Sequence, residues 1–135
     1  MRATHTELFV HLVWATWDRL PFITADIRPN VYRLLKDECE KQGGEVLEVG
    51  GVADHVHVLV RIPATVTVAW MVKQMKAVSS YALNIASQNG NIFKWQGAYG
   101  AFTLRRQDIG YIRAYIQNQE AHHRERTLDP DLELV

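Results

Sequence analysis

The sequence predicts an α+β fold, a ferredoxin-like split βαβ arrangement in which an antiparallel sheet carries helices on one face. The predicted elements run strand, helix, strand, strand, helix, strand, helix, with a short hairpin in the middle. With 135 residues, 47% of them hydrophobic and 22% charged, the chain is long enough for one packed core. The last helix lies outside the βαββαβ unit and carries Tyr115. We therefore predict one domain over residues 1–135, with an acidic tail from about residue 127.

The first two elements follow from local residue patterns. Residues 7–16 are dense in β-branched and aromatic side chains, which favours a strand, and residues 19–24 form a loop. Apolar residues recur at helical spacing over residues 26–42, and Gly43 and Gly44 end that helix. The chain therefore begins with a strand, a loop and a helix.

Two strands with alternating polarity follow, over residues 45–52 and 55–62, and the two residues between them make a hairpin. Helical spacing then covers residues 66–87, followed by a turn at residues 89–91. The side chains predicted to face inward on this helix are Trp70, Met71, Met75 and Val78. A fourth strand lies within residues 93–104, and a last helix runs from Ile109 to about Arg126.

Composition excludes several functional classes. The 15 basic and 15 acidic side chains balance, so nucleic-acid binding has to depend on local patches rather than on overall charge. Cys39 is the single cysteine, which excludes an intramolecular disulfide and a cysteine-rich zinc site. No apolar run approaches the roughly 18 residues of a membrane span, and the N-terminus lacks a signal core. We expect a cytoplasmic protein with no membrane partner.

His55 and His57 alternate with valines on the predicted third strand. Residues two apart on a strand share a face, so both imidazoles point one way while Val56 and Val58 face a core. Two neutral imidazoles on a rigid strand can supply two ligands of a metal site. The alternative is a half-exposed polar face. Asp54 is either a residue that orients a ligand or a turn residue.

The predicted last helix has two faces of different character. Its apolar stripe consists of Ile109, Ile112 and Ile116. Tyr111, Tyr115 and Gln119 are spaced by four and share another face. Tyrosine is a poor nucleophile near neutral pH, and a divalent metal that polarises the electrophile removes much of that handicap. Gln119 could offer a third ligand; the alternative is an amphipathic helix with packed tyrosines and a solvated glutamine.

These motifs resemble those of the HUH endonucleases, and in particular the single-tyrosine, IS200-like transposases of small insertion sequences. His55-Val56-His57 looks like the His–hydrophobic–His motif of that family. Residues 115–119, Tyr-Ile-Gln-Asn-Gln, look like its Tyr-Ile-x-Asn-Gln segment. The similarity covers roughly residues 8–124 and includes the opening strand from His11 onward. The combination is specific to this family.

The resemblance implies a DNA transposase that acts on single strands. It implies that His55, His57 and Gln119 bind one divalent metal, Mg²⁺ or Mn²⁺, and that Tyr115 attacks the scissile phosphate. The product is a 5′-phosphotyrosine with a free 3′-hydroxyl that later reseals the DNA. The implied partners are single-stranded DNA with hairpin ends and a second copy of the chain, in a homodimer with shared active sites. The implied location is the cytoplasm, in association with the nucleoid.

Local basic residues could hold the DNA despite the zero net charge. The candidates lie on the second helix and around the fourth strand: Lys73, Lys76, Lys94, Arg105 and Arg106. Trp95 or Tyr99 could serve as a stacking surface for bases. The alternative for each of these residues is a solvated polar face.

Several assignments stay open at this point. Tyr111 and Tyr115 also have the spacing of two-tyrosine HUH enzymes, but Tyr115 alone aligns with the motif. His122 and His123 could approach a metal if the helix is regular; the alternative is a pair of exposed histidines at the helix C-terminus, where they suit the helix dipole. A domesticated, repeat-associated relative that cleaves without mobility, or a non-catalytic repressor, could share the fold. The Asn118-Gln119 pair favours the insertion-sequence branch, and the intact motifs favour catalysis.

Overall fold

The computed structural model describes residues 3–87, 90, 92–125 and 128–133. The strands are β1 (Phe9–Ala15), β2 (Glu45–Val52), β3 (His55–Arg61) and β4 (Gly100–Thr103). The helices are α1 (Arg28–Lys41), α2 (Val68–Ala86), α3 (Ile109–Gln117) and α4 (Gln119–Glu125). Short 3₁₀ turns cover Trp17–Arg19, Arg106–Asp108 and Pro130–Leu132. Within the described residues, no helix has the length and hydrophobicity needed to cross a membrane. The predicted turn at residues 89–91 lies largely outside them.

The four strands form one antiparallel sheet in the order β2-β3-β1-β4. β1 and β3 occupy the centre, which agrees with their composition, because nearly every residue in both strands is buried. β2 and β3 form the predicted hairpin around Ala53 and Asp54. The α+β class and the split βαβ arrangement predicted from the sequence are therefore confirmed.

Alternation along β3 directs its side chains to two separate clusters. Val56, Val58 and Val60 join the large core beneath α1 and α2. Leu59 faces the other side, where it packs against Ile112 of α3. The two histidines of β3 share the face of Leu59, so they lie beneath α3 rather than in the large core.

Helix α2 buries Met71 and Met75, as its spacing predicts. The inward orientation predicted for Trp70 is wrong, since its side chain is 47% exposed and its indole nitrogen donates to Gln42 Oε1. Thr67 ends the preceding loop and accepts a hydrogen bond from the Trp70 backbone N–H, which caps the helix. Capping fixes the start of α2, and Trp70 lies in that first turn on the solvent side.

The predicted last helix from Ile109 to about Arg126 is interrupted at Asn118, which separates α3 from α4. The backbone N–H and the side-chain amide of Asn118 both donate to the carbonyl of Ala114. A side chain that bonds to the backbone in this way competes with a regular helix.

Helix α3 also packs closely on strand β2 at Gly50, because a Cβ on Gly50 would lie 2.6 Å from the Ile116 carbonyl oxygen. Glycine thus allows α3 to lie directly on the strand.

Candidate metal and nucleophile site

His55 and His57 are both fully buried on the α3 side of β3, at 1% and 0% exposure. In each ring, the Nδ1 nitrogen contacts a residue that lies outside the space between the two rings. Nδ1 of His55 lies 2.8 Å from Asp54 Oδ1, and Nδ1 of His57 lies 2.9 Å from His11 Nε2. The two Nε2 atoms therefore face one common space, which excludes the half-exposed alternative for this pair. Of the two interpretations of Asp54, the structure favours the orienting partner.

Helices α3 and α4 bring the other two predicted residues to the same place. Tyr115 is 4% exposed, and its ring centroid lies 6.0 Å from that of His57. Gln119 is 1% exposed, and its Oε1 lies 3.3 Å from His55 Nε2. Tyr111 is 63% exposed, so it does not share this environment despite the spacing of four. The structure thus assembles one tyrosine, two histidines and one glutamine.

Glu133 completes the cluster, and it could not be singled out from the sequence. Its two carboxylate oxygens lie 3.2 Å from His55 Nε2 and 3.2 Å from His57 Nε2. The Tyr115 hydroxyl donates to the same carboxylate and accepts a hydrogen bond from the Asp129 backbone N–H. The acidic composition of the tail is visible in the sequence, but the tail has no periodicity that would place one carboxylate on the sheet.

The last turn of α4 contributes two further histidines. His123 Nε2 lies 3.2 Å from His55 Nε2 and 3.7 Å from Glu133 Oε1. The ring of His122 stacks on Tyr115 with centroids 4.6 Å apart. His123 therefore approaches the site even though the helix is interrupted.

The charge state of the cluster follows from burial and hydrogen bonding. Burial lowers the pKa of His57, whereas in His55 the hydrogen bonds to Glu133 and Asp54 outweigh burial and raise the pKa. Burial, assisted by Glu133, raises the pKa of Tyr115 above its usual value. Burial alone would raise the pKa of Glu133, but the nearby rings of His55 and His57 hold it well below the usual range. The carboxylate is therefore anionic and the phenol protonated near neutral pH.

The donor set fits a divalent metal ion. His55, His57 and Glu133 offer ligand atoms within 4.8 Å of one another, and the Gln119 amide oxygen adjoins them. Nε2 of His57 is buried and makes no hydrogen bond of good geometry, although Glu133 lies nearby. A buried nitrogen left without a hydrogen bond is costly unless another ligand uses its lone pair. Imidazole, carboxylate and amide donors together suit Mn²⁺ and Zn²⁺, and the oxygen ligands also suit Mg²⁺.

Three of the five predicted DNA-binding residues line one open groove of about 580 Å³ beside α2: Lys73, Lys76 and Lys94. Lys76 Nζ donates to the carbonyls of Gln96 and Ala98, and burial lowers its pKa to about 8. Tyr99 also lines the groove and is 37% exposed. Lys76 therefore holds the segment before β4 in place, while Lys73 and Lys94 remain available to a ligand in the groove.

The prediction of Trp95 as a stacking surface is wrong, and the two arginines lie away from the groove. Trp95 is 6% exposed and belongs to the large core, because its indole N–H donates to the buried Ser79 hydroxyl. It therefore offers little surface for base stacking. Arg105 pairs with Asp108 and Arg106 pairs with Glu7, and neither arginine lines the groove. The five residues do not form one continuous track.

Comparison with known proteins gives three consistent similarities. The ISDra2 transposase TnpA of Deinococcus radiodurans is 25% identical over 120 residues, which is 84% of each chain. A crystal structure described as a transposase from Deinococcus radiodurans R1 has a TM-score of 0.69 at 23% identity, covering 88% of this chain and 95% of that one. A REP-associated tyrosine transposase bound to a REP hairpin has a TM-score of 0.68 at 13% identity, and the match covers 91% of this chain and 73% of that one. At these identities the two structural matches concern the fold.

The family itself is shown by the sequence model described as "Transposase IS200 like", which matches residues 4–119. That range includes all four strands, α3, and the clustered His55, His57, Tyr115 and Gln119. It ends before the tail that carries Glu133, so this carboxylate is a feature of the chain outside the matched range. The protein belongs to the IS200-like transposase family, whose members cut DNA and transfer its strands.

Proposed function

We propose that this chain cuts and rejoins single-stranded DNA at the ends of an insertion sequence by metal-dependent tyrosine transesterification. Tyr115 is the nucleophile in this proposal, and His55, His57 and Gln119 hold one Mg²⁺ or Mn²⁺. The observation that carries the proposal is the burial of a tyrosine beside two histidine nitrogens and an amide oxygen that share one space. An ordinary core offers no reason to gather these groups.

The chemistry is an exchange of one phosphoester for another. The Tyr115 oxygen attacks the phosphorus, the bond from phosphorus to the 3′ oxygen breaks, and the proton of the phenol balances the new 3′-hydroxyl. The protein is left joined to the 5′ phosphate. In the joining step a 3′-hydroxyl attacks this phosphotyrosine and releases Tyr115. Each step conserves the energy of the phosphodiester, so no nucleotide cofactor is required.

The chain's own residues prepare this reaction in three ways. Asp54 holds Nδ1 of His55, which turns Nε2 of that ring toward the site. Ile116 packs against the sheet and fixes the neighbouring Tyr115 beside His57. Burial excludes water, which strengthens electrostatic interactions at the scissile phosphate. A bound divalent metal supplies Lewis-acid polarisation of that phosphate and partial neutralisation of its charge.

The resemblance to single-tyrosine transposases supports a homodimer with shared active sites, and we include it in the proposal. Within one chain Tyr115 already contacts His57 of the same chain. A shared site would exchange α3 between the two subunits while keeping the same contacts. The break at Asn118 lies between Tyr115 and Gln119, so these two residues are carried by separate helices.

We propose that the DNA strand contacts the groove beside α2, with Tyr99 as the stacking surface and Lys73 and Lys94 at the phosphates. The REP-associated relative is bound to a DNA hairpin, which supports hairpin-ended DNA as the ligand of this chain. Arg105 and Arg106 are assigned to a second, separate contact. This arrangement explains how a chain with zero net charge could hold a polyanion.

Replacing Lys73 and Lys94 together by Gln is expected to weaken single-strand binding and to reduce its salt dependence. For every phosphate that is no longer neutralised, the slope of log affinity against log salt should fall by about 0.7. Fluorescence anisotropy at several salt concentrations measures this slope. Lys36→Gln on α1 is the matched control, since Lys36 pairs with Glu40 away from the groove. An unchanged slope in the double variant would remove the groove from the binding surface.

A covalent-capture assay tests the proposed function. Labelled top and bottom single strands from the DNA flanking the gene are incubated with the protein and Mn²⁺, and the products are run on a denaturing protein gel. We expect an adduct with single-stranded DNA and no adduct when the two strands are annealed into a duplex. EDTA should abolish the adduct completely. Tight, metal-independent binding without an adduct would support a repressor. An adduct without strand joining would support the domesticated, repeat-associated function.

A further inference from the structure

The turn that follows β1 has a costly backbone conformation and exposes a large aromatic ring. Asp18 and Arg19 both have a φ of 53°, in the left-handed region that residues other than glycine rarely adopt. The Arg19 N–H donates to the Thr16 carbonyl and the Thr16 hydroxyl donates to the Leu20 carbonyl, so the turn is fixed. Trp17, in the same turn, is 50% exposed. Backbone strain of this kind persists where the surroundings enforce it, and it concentrates at functional segments.

The exposed indole of Trp17 lies beside a cation. Lys94 Nζ is 3.9 Å from the centroid of the Trp17 ring, and the Trp17 backbone N–H donates to the Lys94 carbonyl. Lys94 also lines the groove beside α2. An aromatic ring next to an ammonium group suits a nucleotide, because a base can stack on the ring face that the ammonium group does not cover while the phosphate pairs with the cation.

A cavity of about 340 Å³ opens at this ring, between the turn and Gln96. Gln96 also lines the groove beside α2, so the cavity and the groove adjoin. The Gln96 amide oxygen accepts from the Ala15 backbone N–H, and its amide nitrogen is the group left to donate to a ligand. Asp18 lines the same cavity and is exposed. A carboxylate repels DNA phosphates but accepts hydrogen bonds from base N–H groups, so the cavity suits a base.

The cavity lies at the same end of the sheet as His55. Ala15, the last residue of β1, pairs with His55, and the Thr16 backbone N–H donates to the Asp54 carbonyl. The Arg19 guanidinium lies 3.9 Å from Asp54 Oδ2, and Asp54 Oδ1 contacts His55 Nδ1. The groove lies on the α2 side of the sheet, whereas the metal site lies on the α3 side. A DNA strand that reaches both can pass around this end of the sheet, across the turn.

We propose that Trp17 and Asp18 form a binding site for one unpaired base of the DNA strand, between the groove and the metal site. The base stacks on Trp17, Lys94 and Arg19 neutralise the adjoining phosphates, and Asp18 accepts hydrogen bonds from the Watson–Crick edge of the base. Guanine presents two neighbouring N–H donors on that edge and thymine presents one, so the site favours guanine. The inference rests on the proposed function, because it takes single-stranded DNA as the ligand.

Strands with and without bases separate stacking from a general effect on folding. Trp17→Ala is expected to weaken the binding of oligo(dT) of about eight nucleotides by about 5- to 100-fold, as measured by fluorescence anisotropy. It should leave the weaker binding of an abasic strand of the same length unchanged, because that strand has no base to stack. Trp70→Ala is the matched control, since Trp70 is 47% exposed and has Lys73 Nζ 5.8 Å from its ring but lines neither cavity. Melting temperatures verify that the variants are folded.

Indole fluorescence reports the contact in a protein with little change in shape. A base stacked on an indole quenches its emission, so we expect oligo(dT) to quench the wild-type protein and Trp70→Phe. Trp17→Phe keeps an aromatic face, and it should retain most of the affinity while losing most of the quenching.

Asp18→Asn tests the preference for guanine. Asparagine tolerates the left-handed backbone, so this variant keeps the turn and removes the charge and one acceptor. We expect the wild-type protein to bind a strand of alternating thymine and guanine at least about fivefold more tightly than oligo(dT), and Asp18→Asn to bind the two equally. An unchanged preference in Asp18→Asn would overturn the role of Asp18.

The base site and the proposed function can fail separately. Unchanged affinity for oligo(dT) in folded Trp17→Ala, or undiminished quenching in Trp17→Phe, would overturn the base site while the covalent adduct still supports the proposed function. A wild-type protein that forms no adduct but shows the expected effects at Trp17 would instead overturn the proposed function and leave the base site in place.

Discussion

Tyr115→Phe is expected to abolish the covalent protein–DNA adduct while DNA binding and metal binding persist. Phenylalanine keeps the ring that packs beside His57 and stacks on His122, so the site is not emptied. It removes the oxygen that would join the phosphate, and nothing else in the side chain can replace it. We expect adduct formation to fall below detection, a loss on the order of 10⁴-fold or more. The covalent-capture gel measures it.

Tyr111→Phe is the matched control for this experiment. Tyr111 lies one turn earlier on α3 and is largely exposed, outside the buried cluster that holds the histidines. We expect its adduct to equal that of the wild type. Persistence of the adduct in Tyr115→Phe, or its loss in Tyr111→Phe, would assign the nucleophile to another residue. A mixture of Tyr115→Phe and His57→Ala proteins adds a further arm, because it regains activity only if active sites are shared between subunits.

The histidine pair could be predicted because a strand has a period of two. Once Val56 and Val58 are assigned to a core, His55 and His57 must share the opposite face. No knowledge of other elements is needed for that step. The apolar stripe of α3 is local in the same sense, so helical spacing alone predicts that Ile112 packs against the sheet, as it does.

Contacts between distant positions could not be obtained in this way. His11 and His57 are 46 positions apart, and their hydrogen bond depends on the pairing and register of β1 with β3. The break at Asn118 depends on a side-chain hydrogen bond, which helical spacing does not reveal. In the sequence, Trp95 resembles an exposed aromatic residue in a basic segment. In the structure it is buried in the core and donates a hydrogen bond to Ser79. Position in the sheet, rather than residue type, decides these cases.

Substitution of Glu133 tests whether its carboxylate only occupies the site or takes part in the reaction there. Its carboxylate accepts the hydrogen bond that the Tyr115 hydroxyl donates, and it faces Nε2 of both His55 and His57. A scissile phosphate is a second anion that needs the same neighbours. Because two anions repel each other in a buried space, we expect the carboxylate to withdraw when the phosphate enters.

Glu133→Gln is therefore expected to accelerate adduct formation at saturating Mn²⁺. Glutamine keeps the size of the side chain and removes the charge, so the hydrogen bond to Tyr115 loses its ionic component. A hydrogen bond to a charged group contributes about 1.5–3 kcal/mol, which corresponds to roughly a 10- to 100-fold faster initial rate. Asp131→Asn removes one charge from the same segment without touching the site and should leave the rate unchanged.

The opposite result has an equally specific meaning. If the Glu133 carboxylate remains a ligand during the reaction, Glu133→Gln should lower the affinity for Mn²⁺ and slow the adduct even after the metal is restored to saturation. The nearby rings of both histidines lower the pKa of the Glu133 carboxylate and make it a poor acceptor for the phenol proton, which argues against a role as general base. The rate at saturating metal therefore decides between a bound ligand and a displaced tail.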